Sequence, residues 1–536
     1  MRESSLVRTP TPAEIDALFE QWDRPESPGC ALGVYLDGEI IYEKGYGMAS
    51  LEHQVAINPD SVFYIASVAK QFTAMCIFLL EEEGRLSLDD DLKTHFPELQ
   101  FDMPITILQL VHHTAGIRDY FSLVGIGGLT SCDIDREEKI VALLARQKDL
   151  NFEPGAEHLY SNSGYVLLAS LVRRITGTSL RDFAAKRIFA PLDMTNSLFR
   201  DDLGLVVVNR ASGYDAKPDG SFRLAESLLD SVVGDGGAFS TIRDFSKWEK
   251  NFLKPKVGAG RVMENMLCRG TAAGSEISYA GGLSHGSHRG ISTVGHNGGF
   301  PGFRAGFTRY PEHRLTVVCL ANAGTLPASD MPRRVAELYL SDVMTLRAEP
   351  AFVDVDATTL QKHVGYYRDR TSLYRVVELE NDRLVIDVGG LRLPLRPISD
   401  DRFRTVDVPI DITIEFGIEE GVRTLSVVPD DDDPNPDPAM KAIEPLAISA
   451  EEATALKGSY RNQELGAEKR VDGEGSSLRI VRPNGREIPL EPMVPGEFRA
   501  GPAATIKIDR KGASLALLLT DGRARNVRFE LVSQGE

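Results

Sequence analysis

The pattern of apolar and polar residues divides the chain into a mixed N-terminal part and a C-terminal part made of strands. Asp37-Gly38 lies between two strand-like runs and predicts a hairpin. Strands at both ends of the first 345 residues, with helices between them, predict an antiparallel sheet and an α+β fold. Apolar residues at helical spacing predict helices over residues 12–24, 136–147, 164–177, 241–253 and 328–342. Apolar runs predict strands over 302–309 and 315–320.

After Pro350 the helical pattern nearly disappears, and short alternating strands separated by Gly, Asp and Pro predict small β-barrels. The acidic, Pro-rich stretch at 429–436 predicts a loop. We expect a first domain over 1–345 and two similar antiparallel β-barrel domains over 351–446 and 447–536, because this tail contains an internal repeat. The matching pairs are Gly365–Arg368 with Gly458–Arg461, Leu393–Pro397 with Ile488–Pro492, and Phe403-Arg404 with Phe498-Arg499.

Ser67 and Lys70 are three residues apart at the start of an apolar helix, so they share one helix face. The hydroxyl lies at the positive end of the helix dipole, and the amine can take its proton if burial keeps the amine neutral. Alternatively, Ser67 caps the helix and Lys70 is a surface charge. Ser-x-x-Lys occurs once in this chain, which favours the functional interpretation.

Tyr160-Ser161-Asn162 follows a turn signal and precedes the helix at 164–177. A tyrosine near a cation can act as general base or relay protons with a lysine. Asn162 can donate to a substrate carbonyl or hold Lys70. The alternative is a packed tyrosine followed by a helix-capping asparagine.

The motif His296-Asn297-Gly298-Gly299 contains small residues that would let a substrate backbone lie beside a strand edge. The amides of Ser67 and Gly299 could then form an oxyanion hole. His-x-Gly also occurs at His288 and His363, so the pattern alone is not specific. His112-His113 is predicted to be a helix end.

In this order and at these separations, the three motifs resemble those of the penicillin-recognising serine hydrolases, such as class C β-lactamases, DD-carboxypeptidases, D-aminopeptidases and related esterases. The resemblance covers about residues 10–345. It implies a β-lactamase/penicillin-binding-protein-like catalytic domain with Ser67 as nucleophile. Four other sequence segments also resemble that family: Leu86–Leu92, Val111–Gly116, Ile188–Met194 and Gly234–Gly237.

Bacterial D-aminopeptidases are similar to the whole chain, since they have two β-barrels after the catalytic domain and His-x-Gly where β-lactamases have Lys-Thr-Gly. Departures are Ser161 within the second motif and Asn297 where a second glycine is usual. The resemblance implies catalytic roles for Ser67, Lys70, Tyr160 and His296, and substrate-binding roles for Asn162, Asn297, Gly298 and Gly299.

Charge favours substrates without a free carboxylate, because a histidine is a weaker anchor for that group than a lysine. N-terminal D-aminoacyl peptides or amides are therefore the expected substrates. Arg304 could supply the positive charge that a lysine gives in the third motif of β-lactamases, so a DD-carboxypeptidase or β-lactamase is an alternative function. An esterase and a non-catalytic penicillin-binding-type scaffold are further alternatives. The barrels are expected either to stabilise an oligomer such as a homodimer or to send a loop over the cleft.

Composition excludes several other classes. The 536 residues carry a net charge of −18, which argues against a nucleic-acid or anionic-membrane partner and leaves a small molecule or short peptide as substrate. Five scattered cysteines predict a reducing compartment, and no His or Cys cluster has metal-ligand spacing, so neither metal nor cofactor is expected. Without a visible signal peptide or membrane-spanning run, a cytoplasmic location is expected.

Overall fold

The computed structural model shows that the chain folds into two compact units. The first comprises Met1–Ile117, Thr130–Ala145 and Phe152–Leu346, and the second comprises Arg118–Leu129, Arg146–Asn151 and Arg347–Glu536. The predicted loop at 429–436 lies outside the described residues. The structure describes residues 8–225, 227–345, 351–406, 408, 412–428, 438–482, 485–511 and 514–534.

The helices predicted over 136–147, 164–177, 241–253 and 328–342 are present, with ends within three residues of the predicted ones. None of the helices in the described part of the chain combines the length and hydropathy that a membrane crossing requires. The helices are α1 (Pro12–Asp16), α2 (Lys70–Glu82), α3 (Leu92–His95), α4 (Ile107–Val111), α5 (Tyr120–Gly127), α6 (Glu137–Ala145), α7 (Asn162–Thr176), α8 (Leu180–Ala184), α9 (Ile242–Leu253), α10 (Arg261–Leu267), α11 (Met331–Leu340), α12 (Ala357–Gln361) and α13 (Ala450–Leu456).

The helix predicted over 12–24 is shorter than expected. A capping box of Thr11 and Glu14 starts α1, which ends at Asp16, and successive turns follow. Phe19 in these turns stacks on Tyr46 with ring centroids 4.4 Å apart. The apolar residues of the predicted helix therefore do pack on the sheet, but those after Asp16 do so from turns and not from a regular helix.

The main sheet of the first unit has the strand order β12-β13-β14-β15-β1-β2 and is antiparallel throughout. β1 lies between β2 and β15, with Cys30 opposite Ala321, so the predicted pairing of N- and C-terminal strands is confirmed. The strands are β1 (Cys30–Leu36), β2 (Glu39–Tyr46), β3 (Met48–Ser50), β4 (Val55–Ala56), β5 (Phe63–Tyr64), β6 (Leu198–Phe199), β7 (Tyr214–Ala216), β8 (Phe222–Leu224), β9 (Ala238–Ser240), β10 (Thr271–Ala272), β11 (Ser275–Glu276), β12 (Ser284–His288), β13 (Ile291–Phe300), β14 (Phe303–Tyr310) and β15 (Leu315–Ala321).

The hairpin between β1 and β2 turns at Asp37 and Gly38, whose φ angles are +55° and +78°. Two positive φ angles in a two-residue turn match the right-handed twist of the flanking strands. The sheet buries one face against α1 and α11 and the other against α9, through residues such as Val34, Tyr35 and Val317.

The second unit contains two closed antiparallel barrels, which confirms the predicted fold class. The sequence repeat maps onto equivalent strands, because its three segments lie in the first, fourth and fifth strands of each barrel. The barrel strands are β16 (Gly365–Arg368), β17 (Tyr374–Glu380), β18 (Arg383–Val388), β19 (Leu391–Pro397), β20 (Arg402–Thr405), β21 (Thr413–Glu419), β22 (Val422–Val428) and β23 (Met440–Ile443), then β24 (Gly458–Asn462), β25 (Ala467–Glu474), β26 (Ser477–Val481), β27 (Glu487–Val494), β28 (Glu497–Ala500), β29 (Ala504–Lys511), β30 (Ser514–Asp521) and β31 (Ala524–Gln534).

One side-chain contact is repeated in both barrels. The Tyr367 hydroxyl donates to the carbonyl of His363 at 2.8 Å, and the Tyr460 hydroxyl donates to the carbonyl of Leu456 at 2.8 Å. Each tyrosine thus fastens the first strand of its barrel to the segment just before it. The domain limits at 345, 446 and 447 stay predictions.

Candidate active site

Ser67 lies in a 3₁₀ turn, Ala66–Ala69, that leads directly into α2 at Lys70. Ala66 has a φ of +47°, an uncommon conformation for a residue with a side chain. The turn keeps Ser67 partly accessible while Ala66, Val68 and Ala69 are buried. The predicted alternative that Lys70 is a surface charge is wrong, because the residue is 0% exposed.

The contacts of the Lys70 side-chain nitrogen, Nζ, include oxygens of Ser67, Asn162 and Asp235. Nζ lies 3.2 Å from Ser67 Oγ, 2.9 Å from Asn162 Oδ1 and 2.5 Å from the Asp235 carbonyl oxygen. The amide and carbonyl oxygens can only accept hydrogen bonds, so two N–H groups are directed to them. Nζ also faces the Ser67 hydroxyl, to which an ammonium presents a proton and a neutral amine can present its lone pair.

A glycine loop supplies the carbonyl that holds Lys70. Thr73 Oγ1 donates to the Gly234 carbonyl at 2.8 Å, and a Cβ on Gly234 would lie 2.3 Å from the Tyr165 carbonyl oxygen. The loop thus packs against α2 and α7 at a distance that only glycine permits. Asp235 was missed as a site residue from the sequence, although the run Gly234–Gly237 was visible there.

The Tyr160 ring lies beside the lysine, with Lys70 Nζ 4.9 Å from the ring centroid. His113 also packs against this ring, at a centroid distance of 4.2 Å, and its Nδ1 accepts a hydrogen bond of 3.1 Å from the Ser161 amide. His112 caps the end of α4, as the prediction of a helix end requires. The packing of His113 against Tyr160 was missed, because it depends on a contact between segments distant in the sequence.

His296 lies on β13, and both of its ring nitrogens have hydrogen-bond partners. Nδ1 lies 2.6 Å from the Asn297 carbonyl, which can only accept, so Nδ1 carries the proton. Nε2 lies 3.0 Å from the Tyr279 hydroxyl. Burial and the charge of Lys70 lower the pKa of His296 to about 3, so the imidazole is neutral at neutral pH.

The glycines after His296 bring β13 next to the serine turn. A Cβ on Gly298 would lie 2.4 Å from the Ile65 carbonyl oxygen and 3.3 Å from the Ser67 amide nitrogen. Asn297 and Gly299 are exposed on the same strand. Arg304, on β14 opposite Gly299, donates through Nη1 to the carbonyls of Phe300 and Phe303 at 2.8 Å each.

The structure thus brings together the predicted residues of all three motifs. Ser67, Lys70 and Asn162 are joined by hydrogen bonds, and Tyr160 packs between Lys70 and His296, whose ring centroid lies 6.1 Å from that of Tyr160. A buried lysine in contact with a serine at the start of a helix is an arrangement suited to nucleophilic catalysis. Over the described residues, no group of three or more acidic, His or Cys side chains is arranged to hold a metal ion.

The fold and this site define a serine hydrolase of the β-lactamase and penicillin-binding-protein class. Residues 15–340 match the family model described as Beta-lactamase, and the chain belongs to that family.

Two curated relatives and one solved structure show how far the similarity extends. Penicillin-binding protein 4* of Bacillus subtilis (strain 168) is 29% identical over 401 residues, which are 70% of this chain and 88% of the relative. A D-aminopeptidase of Brucella melitensis biotype 1 is 27% identical over 465 residues, or 84% of this chain and 83% of the relative. The octameric penicillin-binding protein homologue from Pyrococcus abyssi has the same fold, with a TM-score of 0.58 at 24% identity over 77% of this chain and 97% of that one.

Proposed function

We propose that this serine hydrolase is a D-stereospecific aminopeptidase or amidase that acts on N-terminal D-aminoacyl peptides or amides. The observation that carries the proposal is the neutral imidazole of His296, which gives the third motif no cation for a free substrate carboxylate. The relative named D-aminopeptidase supports it, because the alignment extends over 84% of this chain and therefore beyond the catalytic part.

In the first step, the Ser67 hydroxyl loses its proton as Oγ attacks the carbonyl carbon of the substrate. Lys70 in its neutral form accepts that proton on the lone pair facing Oγ, while Asn162 and the Asp235 carbonyl hold the amine in place. Tyr160, adjacent to Nζ, is the partner through which the proton is relayed towards the leaving group.

The carbonyl oxygen becomes an oxyanion that the amides of Ser67 and Gly299 are proposed to stabilise. Collapse of the tetrahedral intermediate breaks the C–N bond, and the leaving amine takes a proton from Tyr160 or the lysine. Water then attacks the acyl-serine ester, which releases the amino acid and returns the proton to Ser67. Asn162, Asn297 and Gly298 are proposed to orient the substrate along β13.

A DD-carboxypeptidase is the second candidate function. Arg304 is the observation that favours it, because its Nη1 lies 3.9 Å from the position that a Cβ on Gly299 would occupy, beside the proposed substrate strand. An esterase would use the same acylation chemistry with a better leaving group. A cytoplasmic location and a homodimer are also proposals; the former is supported by the five free cysteines.

Four amide substrates separate the aminopeptidase from the carboxypeptidase. We expect D-alanine p-nitroanilide to be hydrolysed at least tenfold faster than both its L-enantiomer and its N-acetyl derivative, because an aminopeptidase must recognise the free amine. An N-acylated D-Ala-D-Ala peptide should release no D-alanine. Equal rates with and without the acetyl group would overturn the aminopeptidase assignment, and release of D-alanine would favour the carboxypeptidase. Ser67→Ala, which should be inactive on all four, controls for a contaminating hydrolase.

A further inference from the structure

The second unit contains a cavity of about 330 Å³ at one end of the second barrel. Strand ends of β25 to β30 form its wall, and Gly125 and Ile126 of α5 lie across it. Ligand pockets in proteins start at about this volume. Most of the lining is apolar, with side chains such as Ile480, Ile488 and Leu519.

Five charged residues interrupt this apolar lining: Lys469 on β25, Arg482 after β26, Arg486 and Glu487 at the start of β27, and Asp521 at the end of β30. Lys469 is only 6% exposed. Lys469 Nζ lies 5.7 Å from the centroid of the Phe529 ring and is attracted by Asp521, but no direct hydrogen bond or ion pair of either side chain is found among the described residues. The buried Nε of Arg482 likewise has no hydrogen-bond partner in the described part of the chain.

Unpaired charges of this kind are costly in a folded protein. A buried lysine or carboxylate without a partner loses its hydration and gains nothing in return. Burial and Arg482 lower the pKa of Lys469 to about 8 although Asp521 attracts its charge, and burial raises the pKa of Asp521 although Arg482 and Lys469 attract its charge. At both groups the loss of hydration therefore outweighs the attraction between them.

A single ligand could satisfy Lys469, Arg482 and Asp521 together. Two cations match a carboxylate, and one carboxylate matches an ammonium. The apolar wall suits a small aliphatic or aromatic side chain. A zwitterionic α-amino acid combines these features at a size that fits 330 Å³.

We propose that this cavity is a binding site for a free amino acid with an apolar side chain. Lys469 and Arg482 bind its carboxylate, Asp521 binds its ammonium group, and the wall around Ile480 contacts its side chain. The site does not depend on the proposed peptidase activity, although a free amino acid would be the product of such an activity.

The test uses the full chain with Ser67 replaced by alanine, so that no turnover occurs. Calorimetric titration compares D- and L-leucine with 4-methylpentanoate, which lacks the amine, with isoamylamine, which lacks the carboxylate, and with inorganic phosphate. We expect at least one leucine enantiomer to bind at least tenfold more tightly than the other three compounds. Absence of binding, equal binding of 4-methylpentanoate, or tighter binding of phosphate would each overturn the proposal.

Variants locate the site. Lys469→Met should weaken leucine binding at least tenfold, and Lys469→Arg should retain part of it. Asp521→Asn should remove the preference for leucine over 4-methylpentanoate. Lys441→Met is the matched control, because Lys441 is an exposed lysine on a strand of the first barrel. Unchanged affinity in the Lys469→Met and Asp521→Asn variants would place leucine elsewhere and overturn the proposal.

A second measurement does not depend on whether the variants fold. Acetic anhydride at pH 8 acetylates lysines in their neutral form, and mass spectrometry reports each lysine separately. Leucine should protect Lys469 and leave Lys441 unchanged. Acetylation of Lys469 at the same rate with and without leucine would overturn the proposal.

Discussion

At the scale of single residues, Lys70 has the most closely defined environment in the site. Its Nζ is held by Asn162 and the Asp235 carbonyl and faces Ser67. Lys70→Arg retains a positive charge but cannot accept a proton, so we expect kcat to fall by roughly 10³-fold or more. Steady-state hydrolysis of the best substrate measures this. The control variant Lys254→Arg, at an exposed lysine, should have the kcat of the parent protein. Near-normal activity of the Lys70→Arg variant would rule out Lys70 as the base.

The environment of His296 predicts how stability responds to acid. The folded protein holds the pKa of this imidazole near 3, below the value of 6.5 expected in the unfolded chain. Between these two values the unfolded state binds the extra proton, so acidification from pH 6.5 towards pH 3 favours unfolding. The His296→Gln variant should therefore lose less free energy of unfolding than the parent protein between pH 7 and pH 4.

Urea unfolding at several pH values measures this difference. His53→Gln, at an exposed histidine, should follow the parent protein. Parallel loss of stability in the His296→Gln variant and the parent would show that His296 is protonated in the folded state.

At the scale of elements, the close approach of β13 to the serine turn should be sensitive to one methyl group. Gly298→Ala places a Cβ 2.4 Å from the Ile65 carbonyl oxygen, so the strand or the turn must move. A displacement of about 1 Å at a catalytic centre costs about 10²-fold in rate, and we expect a loss of that size in kcat/KM. Gly286→Ala on β12, whose Cβ would meet only Thr293 Oγ1 at 3.4 Å, is the control. Wild-type activity of Gly298→Ala would show that the contact is unimportant.

Elements whose signals are local could be predicted from the sequence. The Asp37-Gly38 hairpin, α7 with its glycine cap at Gly177, and the serine–lysine pair each depend on residues within one turn or one strand. The contacts of His113 with Tyr160 and of Tyr279 with His296 could not be predicted in this way. Each of these contacts joins two different segments of the chain, and the sequence around either histidine does not by itself indicate its partner.

At the scale of the whole molecule, the sequence also did not show that two segments from the first 345 residues belong to the second unit. Arg118–Leu129 and Arg146–Asn151 interrupt the first unit in sequence but pack with the barrels. Within the second unit, Asn151 Nδ2 donates to the Arg523 carbonyl at 2.9 Å, and the Arg525 amide donates to Asn151 Oδ1 at 2.7 Å.

Arg118 offers a milder test of how the second unit is held together. The side chain is 2% exposed, donates to the carbonyls of Arg525 and Asn526 at 3.2 Å each, and lies 3.7 Å from Glu464. Arg118→Met keeps the aliphatic part but leaves two carbonyls and a carboxylate without this donor. We expect the second unit to lose about 3 kcal/mol of stability.

Hydrogen exchange followed by mass spectrometry locates the effect. Faster exchange in peptides covering 118–129 and 521–527, with the strands of the first barrel unchanged, is the expected result, because the lost bonds connect those two segments. Arg470→Met is the matched control, since that arginine has a 65% exposed side chain and contacts only Asp472 among the described ion pairs. Exchange that rises equally throughout both barrels would mean that Arg118 supports the unit globally, and unchanged exchange would mean that the buried arginine contributes little to holding the segment in place.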